Sequence, residues 1–371
     1  MKIQAFEIVG LNGREGTIVG NLDGSLNILT GRNGAGKTNI LKLLWYIMSG
    51  NIFLALKEIP FQRATLSTDE YVCTVHRLGS QHCRVEWESN SEKIIFEDDE
   101  DDIHDFSESA ESKANSLLIG VGSSVFFPTF RRIEGGYSLD GSRGRISARQ
   151  KNDVEESLVA LSRKLTNGKH GFVSAISTVD IVELLLRRYT ELSSLASLAQ
   201  QRTSSEIIDK IKLFKSDQPG VDPAGAANSL LDDIRVTIES MERQREEFMA
   251  PFEVLKKTVA FLFRHAGIKI DARFSFGDAA NAVNSAALSA GEKQMLSFVC
   301  YNAFYKESVI FIDEPELSLH VDWQRQLFSF LQSQQTSNQF IIATHSPFIY
   351  SKYPENEIII DPDRGDGEAL M

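Results

Sequence analysis

The sequence predicts an α/β protein in which a mostly parallel sheet carries an antiparallel β subdomain and an inserted helical domain. Strand-like and helix-like segments alternate in the first 50 residues and again from residue 266 onward, a pattern typical of parallel sheets. Residues 70–97 show the closely spaced short strands of antiparallel hairpins. Apolar residues recur at helical spacing through much of the segment between. We therefore expect an N-terminal lobe at 1–151, a helical insertion at 152–265 and a C-terminal lobe at 266–371.

The N-terminal lobe supplies the first strands of the parallel sheet and the whole of the antiparallel subdomain. Residues 1–30 alternate apolar and polar side chains, and the last strand, LNIL, runs directly into a glycine-rich loop. The segment NILKLLWYIMSG after that loop is apolar on nearly every side, which predicts a buried helix. Residues 71–77, 83–88 and 93–97 predict the antiparallel strands, and 117–130 predicts a further buried strand.

The helical insertion contains the most regular apolar pattern of the chain. Its 4-3 spacing is typical of a coiled-coil-like seam, although ordinary bundle helices explain it equally well. We expect a compact helical pair, too short for a long rod, which Pro251 bends or splits. The seam comprises Ile234, Ile238, Met241, Phe248, Phe252, Leu255, Val259 and Leu262.

Composition limits the classes of protein to consider. The chain has 371 residues, a formal net charge of −12 and three cysteines, which fits a reducing compartment without disulfides. No apolar run approaches the roughly 20 residues that span a bilayer, and the N-terminus lacks a secretory signal. We expect a cytoplasmic protein that does not enter membranes. Because the chain is acidic overall, DNA or RNA would have to bind through the local basic loop at 131–151.

The stretch GRNGAGKT at residues 31–38 has the full spacing of a phosphate-binding loop between a strand and a helix. Glycines let the backbone approach phosphate oxygens closely, and the N-terminus of the helix adds positive potential. The spacing places Lys37 at the β and γ phosphates, and it makes the hydroxyl of Thr38 a ligand of Mg²⁺.

Two further strands of the C-terminal lobe end in polar residues. SVIFIDEPE (308–316) ends in Asp313, which we expect to hold Mg²⁺, and Glu314, which can polarise an attacking water. FIIATHSP (340–347) ends in His345, whose imidazole can bond a phosphate oxygen or the water. LSAGEKQM (288–295) places Ser289 and Gly291 before a helix, where donors point at an anion.

The order of these motifs resembles the ABC-type ATPases, and GKTN, SAGEKQ, DEPELSLH and THSP are similar to the SMC, RecF and OLD-like branch. Many such proteins belong to bacterial anti-phage systems such as the Septu, PARIS and retron-associated types. The resemblance implies ATP and Mg²⁺ as cofactors, and a homodimer in which the signature of one subunit reaches the γ-phosphate held by the other. It implies that residues 317–320 cross the dimer interface. By this resemblance the nucleotide contacts are Asn33, Gly34, Ala35, Gly36, Lys37, Thr38 and Asn39 of one chain with Ser289, Gly291 and Glu292 of the other.

The function that follows is a slow ATPase that switches a homodimer between states and controls a separate effector such as a nuclease in phage defence. The alternatives are a DNA-repair or chromosome-maintenance ATPase that clamps DNA, a transporter subunit, and a nucleotide-gated scaffold with negligible turnover. Few residues follow Pro347, so we expect no nuclease domain in this chain. The glutamine that joins the Mg²⁺ site in many relatives has no obvious counterpart. Gln62, Arg131 and Arg132 are candidates for its role.

Two other segments hold side chains that can ligate metals. Cys73, His76, His82 and Cys83 fall within eleven residues, but strand alternation places Cys73 and His76 on opposite faces, which favours ordinary strand residues. The acidic run EDDEDDIHD at 97–105 is typical of a solvated loop, with a metal or partner site as the alternative.

Overall fold

The structure is a computed structural model that describes residues 1–89, 92–98, 108–129, 157, 160–174, 178–213, 223–265 and 289–361. It divides into two compact units. The first joins residues 1–177 and 289–371, and the second comprises 178–288. The predicted basic loop at 131–151, the start of the strand-like region from residue 266 and most of the acidic run at 97–105 lie outside the described residues.

The first unit contains a parallel sheet, as the alternation of strands and helices predicts. Its six described strands lie in the order β12-β3-β11-β10-β8-β9, and every neighbouring pair is parallel. Because the strands are parallel, the carboxyl ends of all of them lie at one edge of the sheet. The strands are β3 (Leu26–Thr30), β8 (Ser124–Phe127), β9 (His170–Phe172), β10 (Val309–Asp313), β11 (Gln339–Ala343) and β12 (Glu357–Ile359).

The second sheet of this unit is antiparallel, and it confirms the predicted hairpins. Its strand order is β2-β1-β4-β5-β6-β7, with antiparallel pairing throughout. Alternate residues of β5 and β6 are buried, which is the half-buried pattern that the sequence shows. The strands are β1 (Ile3–Val9), β2 (Thr17–Asn21), β4 (Arg63–Thr68), β5 (Tyr71–Arg77), β6 (Cys83–Ser89) and β7 (Glu92–Glu97).

Helix α1 (Lys37–Met48) contacts strands of both sheets, which explains why its sequence is apolar on nearly every side. Trp45 of α1 lies against Phe126 and Phe172 of the parallel sheet, with ring centroids 5.5 and 5.4 Å apart. The sheets are also joined by the buried Gln339, whose amide donates to Ile3 O and accepts from Ile3 N. Helix α1 therefore packs between the two sheets, and this packing fixes the position of its N-terminus, where the phosphate loop ends.

The remaining helices of the first unit are α2 (Ile52–Glu58), α3 (Ala110–Leu118), α6 (Ala290–Phe304), α7 (Val321–Ser333) and α8 (Pro347–Tyr350). The predicted strand at 117–130 is wrong in its first part. Residues up to Leu118 complete α3, and the strand β8 covers only 124–127. A short apolar run does not by itself distinguish the end of a helix from a buried strand.

The second unit contains two long helices, α4 (Thr178–Leu213) and α5 (Pro223–His265), which contact each other. If the two contacting helices ran parallel, the nine residues between them would have to span the ~54 Å length of α4. Nine residues reach at most about 36 Å, so α5 runs back along α4. The pair is therefore longer than the compact insertion that we expected.

Helix α5 is continuous through Pro251, so the predicted split is absent. The predicted apolar seam included Ile238, but Ile238 is exposed, and its neighbour Thr237 lies on the half-buried face of α5. Lys210 of α4 donates to Oγ1 of Thr237 at 3.3 Å, which places this face against α4. The half-buried positions described on α5 are Ala227, Leu230, Ile234, Thr237, Met241, Phe248, Met249 and Ala260. Among the described residues, no helix has the length and hydropathy needed to cross a membrane.

Candidate functional site

The carboxyl ends of four neighbouring strands bring the predicted site residues together at one edge of the parallel sheet. Strand β3 leads into the phosphate loop, β10 ends in Asp313 and β11 is followed by Thr344 and His345. Strand β8 is followed by Pro128 and Thr129. Ligand sites of open α/β sheets lie at this edge, so the topology itself points to a candidate active site.

The phosphate loop wraps closely because its glycines adopt conformations that other residues avoid. Gly34 and Gly36 have φ angles of 82° and 100°, in the left-handed region. A side chain at Gly36 would meet Leu11 and Asn12 at 3.1 and 3.2 Å. The loop is held from outside by Arg14, whose guanidinium donates to Gly34 O at 2.8 Å. Asn33 and Gly34 are exposed at the tip of the loop, whereas Ala35 is buried beneath it.

The side chain of Lys37 points into its own loop. Its Nζ donates to Gly31 O at 2.8 Å and Arg32 O at 3.2 Å, and it lies 2.7 Å from Nε2 of His345. Burial lowers the pKa of Lys37, while the nearby carboxylates of Glu314 and Asp313 act in the opposite direction. The carbonyl oxygens of Gly31 and Arg32 accept from the ammonium here, in the place of the phosphate oxygens that the motif would bind.

Asp313 is buried at the end of β10, and two hydroxyl groups converge on its carboxylate. Oγ1 of Thr38 lies 3.0 Å from both carboxylate oxygens, and Oγ1 of Thr129 donates to Oδ2 at 2.5 Å. Burial raises the pKa of Asp313, which these hydrogen bonds oppose. A buried carboxylate between hydroxyl oxygens is a donor set for a hard cation, so these residues fit Mg²⁺.

Glu314 follows Asp313 in a strained backbone conformation. Its φ and ψ angles are 47° and 58°, which cost a non-glycine residue about 1–2 kcal/mol. The turn is stabilised because the amide of Glu314 donates to Ala343 O of β11 at 2.9 Å. Its carboxylate lies 3.8 Å from Nε2 of His345. Strain of this kind is common at functional sites, and here it aims a carboxylate toward the phosphate loop side of the edge.

Glu316 fixes the backbone that carries His345. Its Oε1 accepts hydrogen bonds from the amides of His345 at 2.6 Å and Ser346 at 3.2 Å. The buried amide of Gln324 in α7 donates to Glu316 O and accepts from the hydroxyl of Ser346. The turn after β10 and the turn after β11 are therefore bonded into one assembly.

The opening stretch of α6 forms a capping box. The hydroxyl of Ser289 accepts from the amide of Glu292 at 3.3 Å, and the carboxylate of Glu292 accepts from the amide of Ser289 at 2.7 Å. Ser289 is exposed and keeps its hydroxyl hydrogen for another acceptor, while Gly291 is buried. Within the described part of the chain, neither Ser289 nor Glu292 bonds to the phosphate loop.

Sequence reasoning missed two residues of this site, Thr129 and Glu316. The signal for Thr129 was its place directly after the buried strand β8. The long apolar stretch predicted as one strand over 117–130 hid the end of that strand. Gln62 does not take this place, because its side chain lies against Gly10 and none of its hydrogen bonds among the described residues reaches Asp313. The signal for Glu316 was a third acid after Asp313 and Glu314. Arg131 and Arg132 lie outside the described residues.

Two solved structures align with this chain over most of its length. In a search of solved structures, the chain aligns with the Smc head domain with an extended coiled coil, bound to the C-terminal domain of ScpA, from Pyrococcus furiosus. Identity is 13% over 96% of this chain and 93% of that one, with a TM-score of 0.37. An SmcHead bound to the C-winged helix domain of ScpA gives 12% identity, 97% and 94% coverage and a TM-score of 0.39. Alignments this loose add nothing to the fold described above.

The profile of one protein family matches residues 88–351, which is well over half of the chain. The match includes the signature stretch, the acids after β10 and His345, and it begins after the phosphate loop, whose assignment rests on its own residues and geometry. The chain therefore belongs to the family described as "AAA domain, putative AbiEii toxin, Type IV TA system".

Proposed function

We propose that this chain binds ATP with Mg²⁺ at the carboxyl edge of the parallel sheet, hydrolyses it, and dimerises around it. The observation that carries the proposal is the meeting of Lys37, His345 and Glu314. Nζ of Lys37 lies 2.7 Å from the imidazole of His345, which lies 3.8 Å from the carboxylate of Glu314. A cation, a neutral acceptor and a carboxylate that follow one another at 2.7 and 3.8 Å suit phosphoryl transfer to water.

Nucleotide binding follows from the phosphate loop and the residues that end β10 and β8. The ammonium of Lys37 exchanges its carbonyl partners for β and γ phosphate oxygens. The hydroxyl of Thr38 and the carboxylate of Asp313 would hold Mg²⁺, with Thr129 orienting that carboxylate. When bound, Mg²⁺ neutralises charge on the phosphate oxygens. Asn33, Gly34, Ala35, Gly36 and Asn39 complete the loop around the phosphates.

Hydrolysis requires a water in line with the γ-phosphate and a group that takes its proton. Glu314 is the proposed base, and its left-handed backbone sets the direction of its carboxylate. Burial, followed by the positive charge of Lys37, lowers the pKa of His345, so the imidazole is neutral near pH 7. A neutral imidazole can accept from Lys37 or orient the water without adding a second charge. His345 and Glu314 are therefore the proposed catalytic residues.

Dimerisation is proposed because, among the described residues, Ser289 and Glu292 of the signature make no hydrogen bond to the phosphate loop of their own chain. Ser289 is exposed and bonds to Glu292. Leu317 is also 53% exposed, in the turn that leads to the exposed His320. In the proposed dimer Ser289, Gly291 and Glu292 of one copy meet the γ-phosphate held by the other. Residues 317–320 then line the contact between copies.

We further propose that the nucleotide state controls a separate effector, such as a nuclease, in anti-phage defence. The family description as a toxin of a type IV toxin–antitoxin system supports a role that involves a second protein. Helix α4 has exposed apolar side chains, among them Leu195, Leu198 and Leu213, which suit a protein partner. DNA or RNA contact through the basic loop at 131–151 is part of the same proposal.

Substitution of Glu314 by Gln tests the enzymatic part. The variant should lose ATP turnover, keep ATP binding, and accumulate as a dimer in light scattering when ATP and Mg²⁺ are present. Lys37→Ala should lose nucleotide binding. Turnover that survives in Glu314→Gln would remove Glu314 from the mechanism, and an unchanged monomer with bound ATP would contradict dimerisation. Control of an effector is tested by identifying the genes that neighbour this one. If one of them encodes a nuclease, its activity should differ between wild type and Glu314→Gln.

A further inference from the structure

A second cluster of chemically active side chains lies at the far end of the antiparallel sheet, where α3 begins. Cys83 starts β6, Asp98 follows β7 and Glu111 is the second residue of α3. Sγ of Cys83 and a carboxylate oxygen from each acid lie within 4.8 Å of one another. Cys83 and Glu111 are buried and Asp98 is half-buried. A thiol and two carboxyl groups that are far apart in the sequence are therefore gathered in one enclosed place.

Backbone hydrogen bonds hold Asp98 in this position. Its Oδ2 accepts from the amide of Cys83 at 2.8 Å, and its Oδ1 accepts from the amide of Ala110 at 2.7 Å. The amide of Asp98 donates to Cys83 O, which extends the pairing of β6 with β7 by one residue. Each carboxylate oxygen retains a lone pair for a further contact. Asp98 is therefore fixed before any ligand arrives.

Glu111 carries the observation that points to a ligand. The residue is 8% exposed, and among the described residues its Oε2 has no hydrogen-bond partner. An enclosed carboxylate without a partner is costly, and a proton or a cation removes that cost. Asp98 next to it is an acceptor, Cys83 offers only a weak S–H donor, and neither is a cation.

We propose that Cys83, Asp98 and Glu111 bind a divalent transition-metal ion of the zinc type. One sulfur with two carboxylate oxygens favours zinc over magnesium or calcium, which take oxygen ligands alone. Ligand atoms around a tetrahedral zinc stand about 3.3–3.7 Å apart, so closing on the ion takes side-chain movement on the order of 1 Å. The ion would tie the β6–β7 end to the start of α3. This site is separate from the nucleotide site, and its fate does not depend on the proposed ATPase function.

From the sequence, Cys83 was considered together with Cys73, His76 and His82, and that set favoured ordinary strand residues. Nε2 of His76 lies 3.4 Å from Oε1 of Glu86, and His82 lies by Gly79. The group of possible metal ligands found among the described residues includes neither histidine. The acids that replace them come from the ends of other elements, and no spacing rule connects them.

Cobalt binding to the tag-free full chain tests the proposal. The metal-stripped protein is titrated with Co²⁺ in excess Mg²⁺ and ATP, so that Mg²⁺ occupies the nucleotide site. The expected result is a thiolate-to-cobalt charge-transfer band with one ion per chain, which Zn²⁺ displaces. Glu111→Gln and Cys83→Ser should each weaken Co²⁺ binding at least about tenfold, and Cys83→Ser should also abolish the band. Cys73→Ser and Cys300→Ser remove the other two buried thiols and should leave the band unchanged.

The charge-transfer band separates this site from adventitious oxygen ligands, because it requires sulfur. Absence of the band in wild type, its survival in Cys83→Ser, or its loss in Cys300→Ser would overturn the proposal. Should Cys83→Ser fail to fold, Glu111→Gln decides, because it keeps the shape of the side chain and removes only the charge. Unchanged Co²⁺ affinity in Glu111→Gln would then overturn it. Melting temperature gives a second readout, and Zn²⁺ should raise it in wild type and not in Glu111→Gln.

Discussion

Nζ of Lys37 lies 2.7 Å from Nε2 of His345, although the two residues are 308 positions apart in the chain. They meet because β3 and β11 are parallel neighbours, and the segments that follow both strands leave the sheet at the same edge. An ammonium group can only donate, so Nε2 of His345 must accept, which requires a neutral imidazole. The low pKa of His345, which comes from burial first and from Lys37 second, agrees with that requirement.

Removal of the lysine charge should therefore raise the pKa of His345. In nucleotide-free Lys37→Ala, the imidazole loses a neighbouring positive charge while the carboxylates of Glu314 and Glu316 remain, so its protonated form becomes easier to reach. NMR titration of the histidine ring protons measures this directly. A His345→Gln sample assigns the resonance among the seven histidines. A pKa that is equal or lower in Lys37→Ala would contradict the pairing, and Arg32→Ala, which changes an exposed loop residue, serves as the control.

Thr129 should affect hydrolysis through Mg²⁺. Its hydroxyl donates to Asp313, and Thr129→Val keeps the volume of the side chain while removing that hydrogen bond. We expect the Mg²⁺ concentration needed for half-maximal ATPase activity to rise about tenfold, which corresponds to roughly 1.4 kcal/mol. ATP binding measured without Mg²⁺ should stay unchanged.

The matched control for this residue is Thr129→Ser, which retains the hydroxyl and should behave like wild type. A residue that only supports the fold would lower the maximal rate in both variants without shifting the Mg²⁺ dependence. That result would return Thr129 to a purely structural role.

Glu316 should act on the rate through His345 without touching the nucleotide. Glu316→Ala leaves the amides of His345 and Ser346 without their acceptor, at a cost of about 1–3 kcal/mol that is relieved by movement of the turn. We expect kcat to fall at least about tenfold while the affinity for ATP changes little. Steady-state kinetics with a separate binding measurement resolves the two.

Rescue distinguishes positioning from loss of charge. Glu316→Gln keeps an oxygen that can accept from the amide of His345, so it should recover most of the rate lost in Glu316→Ala. If Gln and Ala give the same rate, the hydrogen bonds to the turn are not what Glu316 contributes.

Much of this arrangement could be predicted because its signals are local. The phosphate loop, the acids after β10 and the histidine after β11 each occupy a short stretch whose flanking strand and helix are evident. The alternation of strands and helices also predicts a parallel sheet, and parallel strands bring the ends of distant stretches to one edge.

What could not be predicted depends on contacts between stretches or on long-range geometry. Thr129 has an ordinary sequence setting, and only the pairing of β8 with β10 places it at Asp313. Asp98 and Glu111 join Cys83 through a strand end and a helix start that no periodicity connects. Pro251 predicted a break, yet a helix of 43 residues keeps enough of its other hydrogen bonds and contacts to remain continuous.

His170 should make the stability of the first unit depend on pH. The residue is buried in β9, its Nδ1 lies 2.8 Å from the hydroxyl of Ser124, and burial lowers its pKa to about 4. The unfolded value is near 6.5, so the unfolded chain takes up the proton first as the pH falls. The contribution is therefore complete above pH 6.5 and is lost toward pH 4, by about 2 kcal/mol between pH 7 and 5.

Urea unfolding followed by tryptophan fluorescence measures this effect, because Trp45, Trp87 and Trp323 all lie in the first unit. Other carboxylates titrate in the same range, so the useful quantity is the difference between wild type and His170→Gln. The variant should be less stable at pH 7, and the difference should shrink at pH 5. A difference that stays constant would show that His170 is not held neutral.

Action of the signature across two subunits should appear as recovery of activity in mixed dimers. Lys37→Ala destroys the phosphate loop but keeps Ser289, whereas Ser289→Arg blocks the exposed signature and keeps the phosphate loop. Neither homodimer should hydrolyse ATP. In a mixed dimer, the intact loop of the Ser289→Arg chain meets the intact Ser289 of the Lys37→Ala chain, so one of the two composite sites is complete.

ATPase activity of an equal mixture should then return to about a quarter of wild type, since half of the dimers are mixed and each holds one working site. Differently tagged chains show by pull-down that mixed dimers form. A mixture of Lys37→Ala with Glu314→Gln serves as the control. Because both residues act from the chain that holds the phosphate loop, each composite site of that mixed dimer carries one lesion, and no activity should return. No recovery with Ser289→Arg, although mixed dimers form, would place the signature with the phosphate loop of its own chain.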